Sequence, residues 1–416
     1  MICLSRKEIV GMGNYENRKA AVRLRVTDAA GNPAAHACLK LEQTGHDFLF
    51  GCGAFDAIPY ANGGERDDFC KERVDEWLDL YNYGTLPFYW GRFEPTEGQP
   101  QTESLMNAAS FLKGKGVTLK GHPLCWHTVC ADWLMEYDDK TILEKQLARI
   151  EREVTAFRGV IGLWDVINEV VIMPEFDKYD NAVTRLCKRY GRVGLVKEVF
   201  AAAKAADPDA VLLINDFNLS ERYAELIDSC LEAGVPIGAI GLQTHQHQGY
   251  MGTAKLEEIL HRFERFGLPL HFTENTLVSG HLMPPEIVDL NDYQIPDWPT
   301  TPDGEERQAR EMEEMYRFLF GHPMVEAITG WDFSDGAWLG APSGVIRKDN
   351  TKKPSYEMLR ELVHAEWTTS GEVRTDENGS AEVTGFKGTY RLTGDGVSGT
   401  FGLHGTEDGA VSVSLT

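Results

Sequence analysis

Two glutamates stand where chemistry is expected. Leu163-Trp164-Asp165-Val166-Ile167-Asn168-Glu169 and Leu270-His271-Phe272-Thr273-Glu274 are short apolar, β-branched runs that each end on a carboxylate. A buried parallel strand reads this way when it delivers an acid to the rim of a barrel. Paired carboxylates point to acid/base or nucleophilic work. Either one alone reads equally well as the ion-paired end of a strand, but Asn168 directly before Glu169 favours chemistry.

The elements that must position them follow from a repeating pattern. Short apolar strands are predicted near 48–55, 81–90, 117–124, 161–168, 210–216, 238–244, 268–274 and 326–332. Helices are predicted at about 65–79, 103–115, 140–157, 182–206, 221–233, 253–266, 303–320 and 353–364. Ala201-Ala202-Ala203-Lys204-Ala205-Ala206, stopped by Asp207-Pro208, marks one helix end. Alternating β and α units imply a parallel sheet. Eight of them favour a closed (β/α)8 TIM barrel over an open doubly wound sheet, because no glycine-rich phosphate loop follows the first strand.

Both flanks of this pattern are different. Val22, Leu24 and Val26 alternate along one run and Cys38, Leu39 and Leu41 along another, separated by Asp28-Ala29-Ala30-Gly31-Asn32-Pro33, which predicts a β-hairpin. After Glu366, glycine, threonine, serine and valine take over in short strands. Neither flank can bury two faces alone, so the two are expected to join in a small accessory β-sandwich. The expected organisation is 1–47 for the first part of that sandwich, 48–365 for the barrel and 366–416 for the rest of the sandwich. The connection at 275–302, rich in Pro, Met, Trp and Tyr, is expected to form an ordered wall beside the site.

Composition narrows the partners. A chain of 416 residues with 42% hydrophobic and 25% charged residues suits one large barrel and a smaller unit. The net charge of −23 argues against nucleic acid, anionic membranes and polyanions, leaving a neutral ligand. Eight cysteines without a CxxC pair argue against a zinc ribbon or disulfide scaffold. The start, Met1 to Glu8, lacks the apolar stretch of a signal peptide, so a cytoplasmic location is expected, although a trimmed secreted chain would look the same.

Polar residues gather at the predicted strand ends. They run Lys120-Gly121-His122-Pro123-Leu124-Cys125-Trp126-His127, then Asn168-Glu169, Asn215-Asp216-Phe217-Asn218, Gln243-Thr244-His245-Gln246-His247, Glu274 and Trp331-Asp332-Phe333-Ser334-Asp335. Amides and imidazoles suit sugar hydroxyls, and Trp126, Trp331 and Trp338 offer indole faces for the C–H side of a sugar ring.

With Phe93-Glu94-Pro95-Thr96-Glu97-Gly98, Trp164 to Glu169, Gly241-Leu242-Gln243-Thr244-His245 and Pro354-Ser355-Tyr356, the order of motifs from about 48 to 364 resembles glycoside hydrolase family 10, the endo-β-1,4-xylanase family. The resemblance implies a (β/α)8 barrel, a carbohydrate substrate, no cofactor and no metal. It implies Glu169 as acid/base and Glu274 as nucleophile of a retaining double displacement. It places Asn168 at the sugar 2-hydroxyl and His122, Trp126, Gln243, His245, Trp331 and Trp338 among the substrate contacts, and Asn215, Tyr89 and Trp90 are further candidates for contact with substrate.

Two departures bear on specificity and tuning. Where the family carries Glu-Asn-x-x-Lys-Trp, this chain has Thr85-Leu86-Pro87-Phe88-Tyr89-Trp90, which points to an altered glycone subsite. Where it carries Glu-x-Asp, this chain reads Glu274-Asn275-Thr276, so the carboxylate that orients His245 is missing, and Asp332 or Asp335 are the candidate replacements. The alternatives are a metal-dependent barrel hydrolase using His122, His127, His245, His247 and Glu274, and a non-catalytic glycan-binding barrel.

Overall fold

The computed structural model describes residues 15–63, 67–405 and 410–416. The leader expectation for Met1 to Glu8, and Cys3, lie outside the described residues. Strands run β1 (Lys19–Thr27), β2 (Cys38–His46), β3 (Leu49–Gly53), β4 (Tyr83–Pro87), β5 (Thr118–His122), β6 (Leu163–Asn168), β7 (Val211–Asp216), β8 (Ala239–Leu242), β9 (His245–Gln246), β10 (Leu270–Leu277) and β11 (Val325–Gly330), followed by β12 (Ser370–Arg374), β13 (Ser380–Phe386), β14 (Gly388–Gly394), β15 (Val397–Leu403) and β16 (Ala410–Ser414). The chain divides into two units, one holding the described residues of Met1–Leu49, Glu313–Pro323 and Tyr356–Thr416, the other Phe50–Met312 and Met324–Ser355.

The larger unit is the expected barrel. Strands β3, β4, β5, β6, β7, β8, β10 and β11 pair in that order, and β11 pairs with both β3 and β10, which closes the ring. Helices follow the strands and begin on side-chain caps: Asp138 accepts from Thr141 N at 2.8 Å and Asn181 from Thr184 N at 2.8 Å. The helix Ala182–Ala206 ends where Asp207 turns extended before Pro208. Two glycines let interior and exterior side chains approach the sheet. A Cβ on Gly121 would lie 2.2 Å from the Trp164 ring, and one on Gly241 would lie 2.3 Å from Asn215 Oδ1.

The smaller unit corrects one expectation. Strands β1 and β2 do not form a hairpin. β1 lies between β13, antiparallel, and β16, parallel, while β2 lies between β12 and β14 in a different sheet. Each strand has a single apolar face. Side by side in one layer those faces would stay uncovered, whereas on opposed sheets they meet. Val22, Leu24 and Val26 accordingly share one core with Leu39, Leu41, Leu392 and Phe401.

The connection after β10 is ordered and carries its own apolar cluster. Val278, Met283 and Trp298 bury against Ala341, with Ile287, Leu290, Tyr293 and Ile295 packed around them. Gln248 Nε2 ties the wall down by donating to Pro284 O at 2.9 Å and Ile287 O at 2.8 Å. A buried cation fastens its base: Lys353 Nζ donates to Ser279 Oγ at 2.8 Å, Gly344 O at 2.8 Å and Asp335 Oδ1 at 2.5 Å.

Candidate active site

Glu169 leaves the end of β6 with φ of +58°, in the left-handed region. Its N–H is held by Asn215 O at 2.8 Å. A glutamate in this conformation carries strain of about 1–3 kcal/mol that only the surrounding structure can hold. The pairing of β6 with β7 also slips between Asp165 and Ile167, which brings Asn168 level with Asn215.

An amide network fixes the floor. Asn215 Nδ2 donates to Asn168 Oδ1 at 2.8 Å and to Glu274 Oε1 at 2.8 Å, while Asn215 Oδ1 accepts from Thr273 Oγ1 at 2.6 Å. Gln243 Nε2 donates to the same Asn168 Oδ1 at 2.9 Å. Two donors on Oδ1 leave the Asn168 Nδ2 as the donor free for a ligand. Asn215 is buried and both N–H groups of its amide are taken, so its expected substrate contact is corrected: it aligns Asn168 with Glu274 instead.

The two carboxyls are held in opposite states. Burial pushes the Glu169 carboxyl up to about 8, with the Glu274 charge adding to the rise, against the Trp126 indole that donates to it at 2.8 Å. Burial also pushes Glu274 upward, but the His122 charge, the His245 hydrogen bond and the Lys120 charge outweigh it and hold this carboxyl below its ordinary value. His245 Nε2 lies 3.1 Å from Glu274 Oε2, and His122 Nε2 3.9 Å from Glu274 Oε1. On its other side His122 Nδ1 meets Asp165 Oδ2 at 2.7 Å. One acid keeps its proton while the other is ionised, the division that acid catalysis beside a nucleophile requires.

Aromatic rings enclose this pair. Trp331 packs edge-on to His122 with ring centres 5.2 Å apart, and Trp338 leans on His245 at 4.7 Å. Tyr89 sets its ring against His122 at 5.7 Å and Trp126 at 5.6 Å. Trp90 is the second correction. It is buried, donates from Nε1 to Glu94 Oε2 at 3.0 Å and lies under the Arg149 guanidinium, so it braces the loop rather than facing a ligand. Sequence reading missed Phe217 and Tyr179, each 48% exposed beside Asp216 and the loop after Glu169. The signal available was a large aromatic within a polar strand-end motif.

The replacement carboxylate is a third correction. Asp332 accepts from Ser343 Oγ and Asp335 from Lys353 Nζ, so neither orients His245, whose buried Nδ1 has no hydrogen-bond partner among the described residues. Thr276, at the position of the missing carboxylate, instead pairs through Oγ1 with His247 Nδ1 at 3.2 Å and accepts from Gln246 N at 3.1 Å. Of the residues named for a metal centre, His122 and His245 meet at Glu274, but His127 stands apart. His127 packs on Phe176 at 4.5 Å, and among the described residues no group of three or more His, Cys, Asp or Glu is placed to hold a metal ion.

Comparison with known proteins bears on family and fold. The model of glycosyl hydrolase family 10 matches residues 88–362. Endo-1,4-beta-xylanase B of Thermotoga neapolitana is 27% identical over 291 residues, covering 66% of this chain and 78% of that one. Anti-sigma-I factor RsgI6 of Acetivibrio thermocellus is 26% identical over 386 residues, covering 91% of this chain but 45% of its own length. The crystal structure of native xylanase 10B from Thermotoga maritima superposes with a TM-score of 0.61 at 21% identity, over 77% of this chain and 96% of that one, a likeness of fold.

Proposed function

The chain belongs to glycosyl hydrolase family 10 and is a xylanase-like glycosidase, and within that family we propose that it cleaves short β-1,4-linked xylo-oligosaccharides or related β-glycosides by double displacement. Glu169 gives its proton to the departing oxygen while Glu274 attacks the anomeric carbon to form a glycosyl-enzyme. Glu169, now ionised, then takes a proton from the water that releases the sugar. The free Nδ2 of Asn168 meets the 2-hydroxyl beside the nucleophile, and Gln243, His122 and His245 complete the subsite.

The observation that carries this reading is the placement of two buried carboxyls in one network, Glu274 against Asn215 at 2.8 Å and His245 at 3.1 Å and Glu169 against Trp126 at 2.8 Å, with burial pushing Glu169 up and the histidines holding Glu274 down. On the glycone side Thr85 and Leu86 are buried in the barrel and only Tyr89 reaches the mouth. A ring therefore stands where the family presents a lysine, and Thr85 and Leu86 where it presents a glutamate and an asparagine, which favours short or end-capped glycans over long unbranched chains.

The test is hydrolysis of a panel of aryl β-glycosides and β-linked oligosaccharides, with NMR of the first anomer released. A β-anomer from a β-substrate supports the reading. An α-anomer overturns the double displacement, and silence across the panel overturns the substrate class.

A further inference from the structure

Beneath the floor of the cleft lies a buried cation that touches neither reacting carboxyl. Lys120 is fully buried on β5, two residues before His122, so both side chains face the same side of the strand. Among the described residues the one carboxylate within 4 Å of Lys120 is Asp165, whose Oδ2 lies 2.7 Å from Lys120 Nζ and 2.7 Å from His122 Nδ1. His122 then presents Nε2 to Glu274 Oε1 at 3.9 Å. The four groups form a line: ammonium, carboxylate, imidazole, carboxylate.

We infer that Lys120 is a positioning residue for Glu274, acting through Asp165 and His122. It fixes the ionised Asp165, Asp165 accepts the Nδ1–H of His122 and so holds the ring in place, and the ring thereby keeps its Nε2 against Glu274. The inference rests on the proposed role of Glu274 as nucleophile. A lysine charge buried at this depth is tolerated only when paired, and Asp165 supplies that pair. The surroundings leave Lys120 the cation of its layer: the neighbouring His271 is pushed down to about 3 by burial and by Lys120 itself, and Tyr83 is pushed up by burial and by Asp165. Glu274 is faced by His122, His245, Glu169, Tyr89 and, further off, Lys120. Removing Lys120 takes one positive charge from that set and leaves Asp165 uncompensated.

Lys120→Met and Lys120→Arg in the full chain test this. In the methionine variant kcat is expected to fall ~10–100-fold with KM little changed, and the acid limb of kcat/KM to move up by roughly one pH unit. Arginine should restore both. Spectra of 15N-histidine-labelled protein read the same relay without turnover: the Nδ1–H of His122, held by Asp165, is expected to exchange slowly with water in the wild type and faster in the methionine variant. If methionine prevents folding, Lys120→Gln provides the comparison with arginine. A lowered unfolding temperature with an unchanged pH profile and an unchanged exchange rate of the His122 Nδ1–H overturns the inference. A wild type inactive on every glycoside overturns the proposed function instead, and the histidine spectra still decide the role of Lys120.

Discussion

The indole Nε1 of Trp126 donates to Glu169 Oε2 at 2.8 Å, which ties one oxygen of this acid and leaves Oε1 without that donor. A donor to a carboxyl favours its ionised form, and here burial and the Glu274 charge outweigh it. Trp126→Phe keeps an aromatic ring and removes the donor. Glu169 should then hold its proton to higher pH, and the basic limb of kcat/KM should move upward in that variant.

The wild-type profile should be bell-shaped. Activity falls as pH rises through about 8, where Glu169 loses its proton. It falls on the acid side only below the ordinary carboxylate range, where Glu274 gains one. Both limbs belong to the interacting pair. Stability has the matching sign: the folded pKa of Glu169 lies above its unfolded value, so its contribution is present in acid and lost between about 4.5 and about 8. Unfolding temperatures of Glu169→Gln should decline less over that interval than those of the wild type.

The two glutamates should fail differently. Glu169→Gln is expected to lose ~10²–10⁴-fold in kcat on a glycoside with a poor leaving group, and far less on a dinitrophenyl glycoside that departs unaided. Glu274→Gln should be equally inactive on both. Equal losses for Glu169→Gln on the two substrates would remove the acid from its assigned role.

Gly241→Ala probes the space under Asn215. The added methyl would fall 2.3 Å from Asn215 Oδ1, a contact that forces the amide to move. Asn168 and Glu274 lose their shared donor when it does. Turnover should fall at least tenfold while the far-ultraviolet circular dichroism stays that of the wild type.

Lys353→Met should act on stability. It strands Asp335, which burial already pushes toward its neutral form, so the cost is expected at the lower end of the ~3–5 kcal/mol typical of a broken buried pair. Thermal unfolding of this variant and of the double variant with Asp335→Asn checks it: the double variant should recover part of the loss.

Much of this molecule was legible in the chain because local pattern has a physical period. Strands and helices of the barrel follow from two-residue and 3.6-residue spacing of apolar side chains, and Glu169 and Glu274 stand out as carboxylates ending apolar runs. The same spacing could not say that β1 and β2 sit in opposed sheets, since an alternating strand carries one apolar face whichever partner covers it. Nor could it tell that Asn215 serves Glu274 rather than substrate, that Trp90 braces Glu94, or that Thr276 attends His247 while His245 Nδ1 stands alone. Those assignments depend on which strands become neighbours, on the slip in register between β6 and β7, and on the room left by Gly241. Element types, the barrel and the acids at its rim follow from the order of residues along the chain. The physical basis for one acid keeping its proton comes from the fold, because burial and the distances to His122, His245 and Trp126 exist only once the strands are closed into a ring.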